Sequence, residues 1–335
     1  SGGVAGGWRD GARLDAGESV QIDIRDRIEA VDGWTAETPM LYALDVVVTS
    51  SDGPAQSIRQ RVGFRTVEID AGLLKVNGQP IEVRGVNRHE HDPETGRYVT
   101  EERMRQDLLR MKELNINAVR TSHYPNDPRW YELTDEVGMY VVDEAFVESN
   151  GTSFHPDTTL AGRPEWAEAH LDRLRRMIER DKNHSSVILW SLGNEAGDGE
   201  TFDEMSDWLH ERDPSRVVSY EGSAKGGARI VASHSDIQCP MYWSASQVRQ
   251  YLSEPQPRPI ILIEYAHAMG NSSGNMKEFW DVFYAYEQAQ GGFVWDWKDQ
   301  GLRVPLPDGS EGSYFGYGGD VGPATPLGGL FGNNF

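Results

Sequence analysis

IEVRGVNRHEHDPETGRYVTEERMRQDLLRMKELNINAVRTS, residues 81–122, reads as a complete strand, helix and strand in succession. IEVRGVN (81–87) and INAVRTS (116–122) are short runs rich in branched apolar residues. Between them Met104, Leu108 and Met111 recur at helical spacing, with Glu102, Arg103, Arg105 and Lys112 on the other face. Strands alternating with amphipathic helices are the signature of βαβ units in a parallel sheet. The alternation continues through MYVVDE (139–144), VILWSLGNE (187–195), VVSYEG (217–222), SDIQCPMY (235–242), IILIEYA (260–266) and GGFVWDWK (291–298). Further helical stripes fall at Leu171, Leu174 and Ile178 and at Phe279, Phe283 and Tyr286. Eight strands in this pattern predict an α/β fold, a (β/α)8 TIM barrel ringed by helices.

Upstream the period changes to two. SVQIDIRD, LYALDVVVTS and SIRQRVGFRTVEI, within residues 19–69, alternate as strands separated by turn-rich segments such as SSDGPAQ. Three or four strands are fewer than an immunoglobulin-like sandwich requires, so residues 1–69 are expected to form a small, incomplete β-sandwich-like unit. Residues 70–335 then form the barrel, with a Gly- and Pro-rich tail from about 303 read as an ordered loop or a frayed end.

The 335 residues are 38% hydrophobic and 25% charged, a balance that supports a sizeable core. With 32 Lys and Arg against 53 Asp and Glu, the net charge of −21 repels phosphate backbones and anionic membrane surfaces, so neither nucleic acid nor membrane is an expected partner. Cys239 is the sole cysteine, which rules out an intrachain disulfide. No basic and apolar leader opens the sequence, and no apolar stretch reaches the roughly 18 residues of a membrane span. Together these suggest a cytoplasmic protein.

In a barrel of this type the loops following the strands form the rim of the active site, so polar residues at the strand ends draw notice. The fourth strand runs through VILW into Asn194 and Glu195, and the seventh through IILI into Glu264, with His267 just beyond. One carboxylate after so apolar a run is most simply the partner of a buried Arg or Lys. Two, on strands four and seven, can lie on either side of a small barrel mouth, where glycoside hydrolysis with retention needs carboxyl groups about 5–5.5 Å apart. On this reading Glu264 attacks the anomeric carbon, and Glu195 protonates the leaving oxygen and then activates water.

The chain resembles the β-galactosidases of glycoside hydrolase family 2 through GVNRHEHDPETG (85–96), NAVRTSHYPN (117–126), YVVDEAFVESNG (140–151), WSLGNEAGDG (190–199), CPMY (239–242), EYAHAMGNSSG (264–274), GGFVWDWKDQGL (291–302) and YGGD (317–320), over roughly residues 34–320. The resemblance implies Glu195 as acid/base and Glu264 as nucleophile, in agreement with the strand-end argument. It further implies that His89, His123, Asn194, Tyr242, His267 and Trp295 line the sugar pocket. Imidazoles and an amide can donate to and accept from sugar hydroxyls, and an indole offers a flat apolar face. Trp295 and Trp297 alternate along a strand and so face opposite ways, with Trp295 assigned to the pore by the resemblance alone.

The resemblance also implies Mg²⁺, held by the acid/base Glu195, by Glu148 and by a third residue that is histidine in the family and Asn150 here. An amide oxygen can still ligate a hard cation. The family's amino-terminal jelly-roll domain is absent from this sequence, and the tail does not match the segment carrying further Na⁺ ligands, so a complete Na⁺ site is not expected. The substrate implied is a terminal β-galactoside such as lactose. Other sugars handled by relatives, β-glucuronides and β-mannosides, stay open, as does a weakly active sugar-binding fragment. Family oligomers use surfaces of domains outside this sequence, so the resemblance leaves a homo-oligomer open.

Overall fold

The computed structural model describes residues 6–50, 53–153, 157–222, 234–269, 272–306 and 309–316. Its chain order begins with β1 (Tyr42–Val48), β2 (Gln56–Val62), β3 (Val67–Asp70), β4 (Leu73–Val76) and β5 (Gln79–Pro80). The barrel elements follow: β6 (Val83–Asn87), α1 (Glu101–Glu113), β7 (Ala118–Arg120), α2 (Pro128–Val137), β8 (Tyr140–Glu144), α3 (Asn150–Ser153), α4 (Pro164–Asp181), β9 (Val187–Ser191), α5 (Glu200–Arg212), β10 (Val217–Ser219), α6 (Ala245–Tyr251), β11 (Ile260–Tyr265), α7 (Met276–Phe283) and β12 (Ala289–Val294). A hairpin of β13 (Leu302–Pro305) and β14 (Ser313–Gly316) comes last.

Seven strands hydrogen-bond in the order β10, β9, β8, β7, β6, β12, β11, all parallel. The expected sixth strand, 235–242, is not a regular ladder; it closes the ring through isolated parallel bridges, Gln238 to Ile260 and Met241 to Glu264. Asp236 donates its backbone N–H to Val218 at 2.9 Å on one side, and Tyr242 donates to Glu264 at 2.9 Å on the other. Pro240, which lacks an N–H, and Tyr242, at φ +53°, interrupt the extended geometry a ladder needs.

Alternation along the strands separates two cores. Val119 and Val141 face the helices together with Met104, Leu108 and Met111 of α1 and Trp130 and Leu133 of α2. Val83, Ala118, Val142, Ile261, Ile263 and Phe293 fill the lumen. Gly85 stands opposite Phe293, where a Cβ would lie 2.3 Å from the ring, so only glycine lets β6 and β12 close around it. The helix α1 begins where Thr100 accepts the N–H of Arg103, with Glu101 and Glu102 in its first turn and Arg110 and Lys112 in its last.

The upstream strands are only partly formed. Residues 19–26 adopt no strand despite their alternation, and Val20, Ile22 and Ile24 are exposed. A strand needs a neighbour to satisfy its backbone and its apolar face, and β1 pairs with β2 alone. SIRQRVGFRTVEI divides in two: its first half lies in β2, and its second is β3, which pairs with β4. The change of pattern near residue 70 thus falls inside the β3–β4 hairpin. Leu74 and Val76 of β4, with Trp34 and Ala36, pack into the lumen-side core, and Trp34 donates its indole N–H to Asp135 O at 3.0 Å. The tail forms the β13–β14 hairpin over 302–316, while YGGD and the rest of the tail lie outside the described residues. Among the described residues no helix is long and apolar enough to cross a membrane.

Candidate active site

The mouth of the barrel is organised around Arg120, the last residue of β7 and fully buried. Its Nε donates to Glu144 Oε2 at 2.7 Å, Nη1 to Asn87 Oδ1 at 2.9 Å and to Glu264 Oε1 at 2.8 Å, and Nη2 to Asn194 Oδ1 at 2.7 Å. Burial by itself would weaken the cation, but Glu144, Glu264 and Glu221 outweigh it and hold the guanidinium above its ordinary range. The strand ends of β6, β7, β8, β9 and β11 are thereby joined through one side chain.

Glu264 is the fifth residue of β11 and is buried. Ile261 and Ile263 face the lumen and Leu262 and Tyr265 face the helices, so strict alternation would turn Glu264 outward. The pairing of β11 with β12 shifts register between Leu262 and Tyr265, and the irregularity directs the carboxylate into the mouth. There its Oε2 accepts the phenol of Tyr242 at 2.6 Å and its Oε1 accepts Arg120. The partner that a lone buried carboxylate requires is present, and the second donor goes beyond that requirement. Burial and the adjacent Glu264 push the Tyr242 phenol far above its usual value, so it stays a donor.

Glu195 follows β9 in a tight turn. Gly193 has φ +149° and approaches so closely that a Cβ would lie 2.5 Å from Val147 O; Glu195 itself has φ +40°. The Glu195 N–H donates to Glu221 Oε1 at 2.5 Å, and its carboxylate accepts the side-chain amide of Asn150. Asn194 donates its backbone N–H to Val147 O at 2.8 Å and its side-chain amide to Glu148 Oε2 at 2.5 Å. Glu148 also accepts the backbone N–H of Asn150 at 3.2 Å. Although much of Glu148 faces solvent, its carboxyl end lies among protein atoms, and that burial, aided by Glu195 and Glu144, pushes it up to about 7.

The aromatic side of the mouth is equally connected. Trp295 stacks on His123 with ring centroids 5.1 Å apart and planes 8° from parallel, and meets His89 edge-on at 5.5 Å. Trp297 packs against the helix-side core instead. His123 Nδ1 lies 2.8 Å from Glu144 Oε1, and His89 Nδ1 lies 3.2 Å from the Tyr124 hydroxyl. Burial, reinforced by neighbouring cationic groups, takes both imidazoles down to about 3, so both are neutral and able to donate and accept. His267 is exposed, with its ring 5.9 Å from that of Tyr242 and its Nδ1 3.0 Å from Ser272 Oγ.

The residues expected from the sequence thus gather in two groups: Glu195, Asn194, Glu148 and Asn150 on one side, and Glu264, Tyr242, His123, His89 and Trp295 on the other, with His267 at the rim. Arg120, Asn87, Glu144 and Glu221 were not foreseen. Glu144 follows MYVVD and Glu221 follows VVSY in the way that Glu264 follows IILI, so the strand-end criterion applied to strands three and five points to both. Burial, partly offset by Arg120, raises Glu144 to about 7 and Glu221 well above the usual carboxylate range.

Among the described residues no cluster of three or more His, Cys, Asp or Glu is arranged around a metal position. The set of Glu148, Glu195 and Asn150 includes an amide. Both carboxylates touch this one residue, and a half-turn of its amide would exchange the NH2 now facing Glu195 for an oxygen. Two carboxylates and an amide oxygen suit a hard cation.

Residues 67–327 match the family described as glycosyl hydrolases family 2, TIM barrel domain. Proteins named β-galactosidase from Photobacterium profundum and Vibrio cholerae are 49% and 50% identical over 302 residues, covering 86% of this chain and 28% and 29% of their own lengths. The chain therefore spans less than a third of these relatives. Among solved structures, β-D-glucuronidase of Dictyoglomus thermophilum superimposes with a TM-score of 0.70 at 23% identity, covering 83% of this chain and 55% of that one. The apo β-glucuronidase of Ruminococcus gnavus gives 0.71 at 24%, covering 91% and 58%. Both likenesses show the barrel fold. The extent of the family match and the identity to curated relatives establish that the chain belongs to glycosyl hydrolases family 2 and carries its TIM barrel domain.

Proposed function

We propose that this barrel hydrolyses terminal β-D-galactosides with retention, by double displacement through a covalent glycosyl-enzyme. The observation that carries the reading is the guanidinium of Arg120, which binds Glu264 and, through Asn194, the turn bearing Glu195. Glu264, oriented by Arg120 and Tyr242, attacks the anomeric carbon as the aglycone leaves. Glu195 delivers a proton to the departing oxygen. In the second step Glu195 takes a proton from water, which attacks the anomeric carbon and releases Glu264. Neutral His89 and His123 exchange hydrogen bonds with sugar hydroxyls, Asn194 orients the ring, and the Trp295 face covers its apolar side.

The relatives near 50% identity are named β-galactosidase, which supports a galactoside. A uronate sugar would bring a further carboxylate into a mouth where Arg120 is already matched by Glu144 and Glu264, and where burial has pushed Asp296 up to about 7. That crowding of acids favours a neutral sugar. Mg²⁺ would be held by Glu148, Asn150 and Glu195, where its charge would offset adjoining carboxylates.

The test is turnover of 4-nitrophenyl β-galactoside against a panel of nitrophenyl glycosides. Glu264→Gln is expected to lose a factor of about 10³ or more. If wild type and Glu264→Gln release nitrophenol equally slowly, the reading of this barrel as a hydrolase fails. NMR of the first anomer released checks the stereochemistry, and an inverted product excludes Glu264 as nucleophile.

A further inference from the structure

Every backbone N–H of the turn from Asn194 to Ala196 is held from outside the turn. Asn194 N–H goes to Val147 O, Glu195 N–H to Glu221 Oε1, and Ala196 N–H to the hydroxyl of Tyr220 at 3.2 Å, which in turn donates to Gly197 O at 2.6 Å. Two of these three anchors, Tyr220 and Glu221, are consecutive residues directly after β10. Leu192 N–H donates to Ser219 O at 3.1 Å, so strand pairing passes directly into side-chain pairing. Glu195 sits at φ +40°, a left-handed conformation that residues with a Cβ adopt rarely and keep only when their surroundings hold them there.

We propose that Glu221 is a positioning residue for the acid/base: by accepting the Glu195 N–H it fixes the left-handed backbone of residue 195 and so aims the carboxyl group toward the leaving oxygen. The proposal rests on the reading of Glu195 as acid/base given above. In this role Glu221 acts through Glu195 and not on the sugar directly. Its contribution is an acceptor oxygen at a fixed place, buried where solvent cannot supply a substitute. Misaimed, Glu195 would fail at proton delivery while Glu264, held by Arg120 and Tyr242, kept its nucleophilic position.

The experiment compares Glu221→Met, which fills the volume without an accepting oxygen, with Glu221→Gln, whose amide oxygen still accepts. The readout is kcat/KM, which reports the first, aglycone-releasing step, for phenyl β-galactoside and 2,4-dinitrophenyl β-galactoside. Only the first aglycone needs a proton to leave. Glu221→Met is expected to lose about 100-fold on the phenyl substrate and less than about fivefold on the dinitrophenyl one, with Glu221→Gln within about fivefold of wild type on both. Equal losses of Glu221→Met on both substrates, no loss on either, or a Gln chain as impaired as the Met chain overturns the proposal. If the Met chain does not fold, the Gln chain decides by the same limit. Hydrogen exchange of the peptide spanning 190–198 is expected to quicken about tenfold in Glu221→Met and not in Glu221→Gln. Should wild type cleave neither galactoside, the galactosidase reading fails, and this exchange comparison alone decides the role of Glu221: unchanged exchange in the Met chain overturns it.

Discussion

Arg120 and Glu264 meet at 2.8 Å across the barrel mouth, one at the end of β7 and the other near the end of β11, with both side chains withdrawn from solvent. The same guanidinium also holds Glu144, so its removal would leave two buried carboxylates unmatched. Arg120→Met is therefore expected to destabilise the fold by about 3–5 kcal/mol, the usual result of removing one partner from a buried ion pair. Urea unfolding measures it, and an unchanged midpoint would show that the pair is solvated.

Tyr242 is the second donor to Glu264 and lies on the irregular sixth strand. In Tyr242→Phe the carboxylate keeps Arg120 but loses orientation at Oε2. A fall in kcat of about 10- to 100-fold with little change in KM is expected, because the lost donor acts on the reacting group more than on the bound sugar. Steady-state kinetics on a nitrophenyl galactoside decide it, and a change confined to KM would assign Tyr242 to binding alone.

If Mg²⁺ occupies the position between Glu148, Asn150 and Glu195, it stabilises the folded chain by mass action. Added Mg²⁺ should raise the thermal midpoint of the wild-type chain treated with chelator, and Glu148→Gln should need a higher concentration for the same rise. Restoring histidine with Asn150→His should lower the concentration needed. A midpoint indifferent to Mg²⁺ in all three chains would remove the metal from the mechanism.

His89 is held near pKa 3 by burial and by His123, against about 6.5 when unfolded. The folded state therefore binds its proton less tightly than the unfolded state does. Its contribution to stability is fully present above about pH 6.5 and is lost as pH falls toward 3. Between about pH 7.5 and 5 this amounts to at most about 2 kcal/mol, and His89→Gln should reduce the acid-side loss by a comparable amount. Matching slopes of unfolding free energy against pH for the two chains would contradict it.

The barrel itself was readable from pattern. Apolar periodicity in 81–122 and its continuation through IILIEYA and GGFVWDWK depend on which face each residue must bury, and that is a local property. The two strand-end acids also stand out locally, since an acidic residue directly after VILWSLGN or IILI differs from its own neighbours. Alternation misled at 19–26, where the strand pattern is present and the partner is not, and at 235–242, where Pro240 leaves bridges in place of a ladder.

Strand type and the identity of two strand-end acids follow from neighbours in the chain, because burial periodicity and turn chemistry act over a few residues. The aim of Glu264 depends on a register shift against β12, the left-handed turn at Glu195 on an acceptor from Glu221, and the electrostatics of the mouth on Arg120, whose partners lie 24 to 144 positions away. Those relationships exist only once the ring of strands closes, since contacts between residues so far apart in the chain are set by packing rather than by local preference.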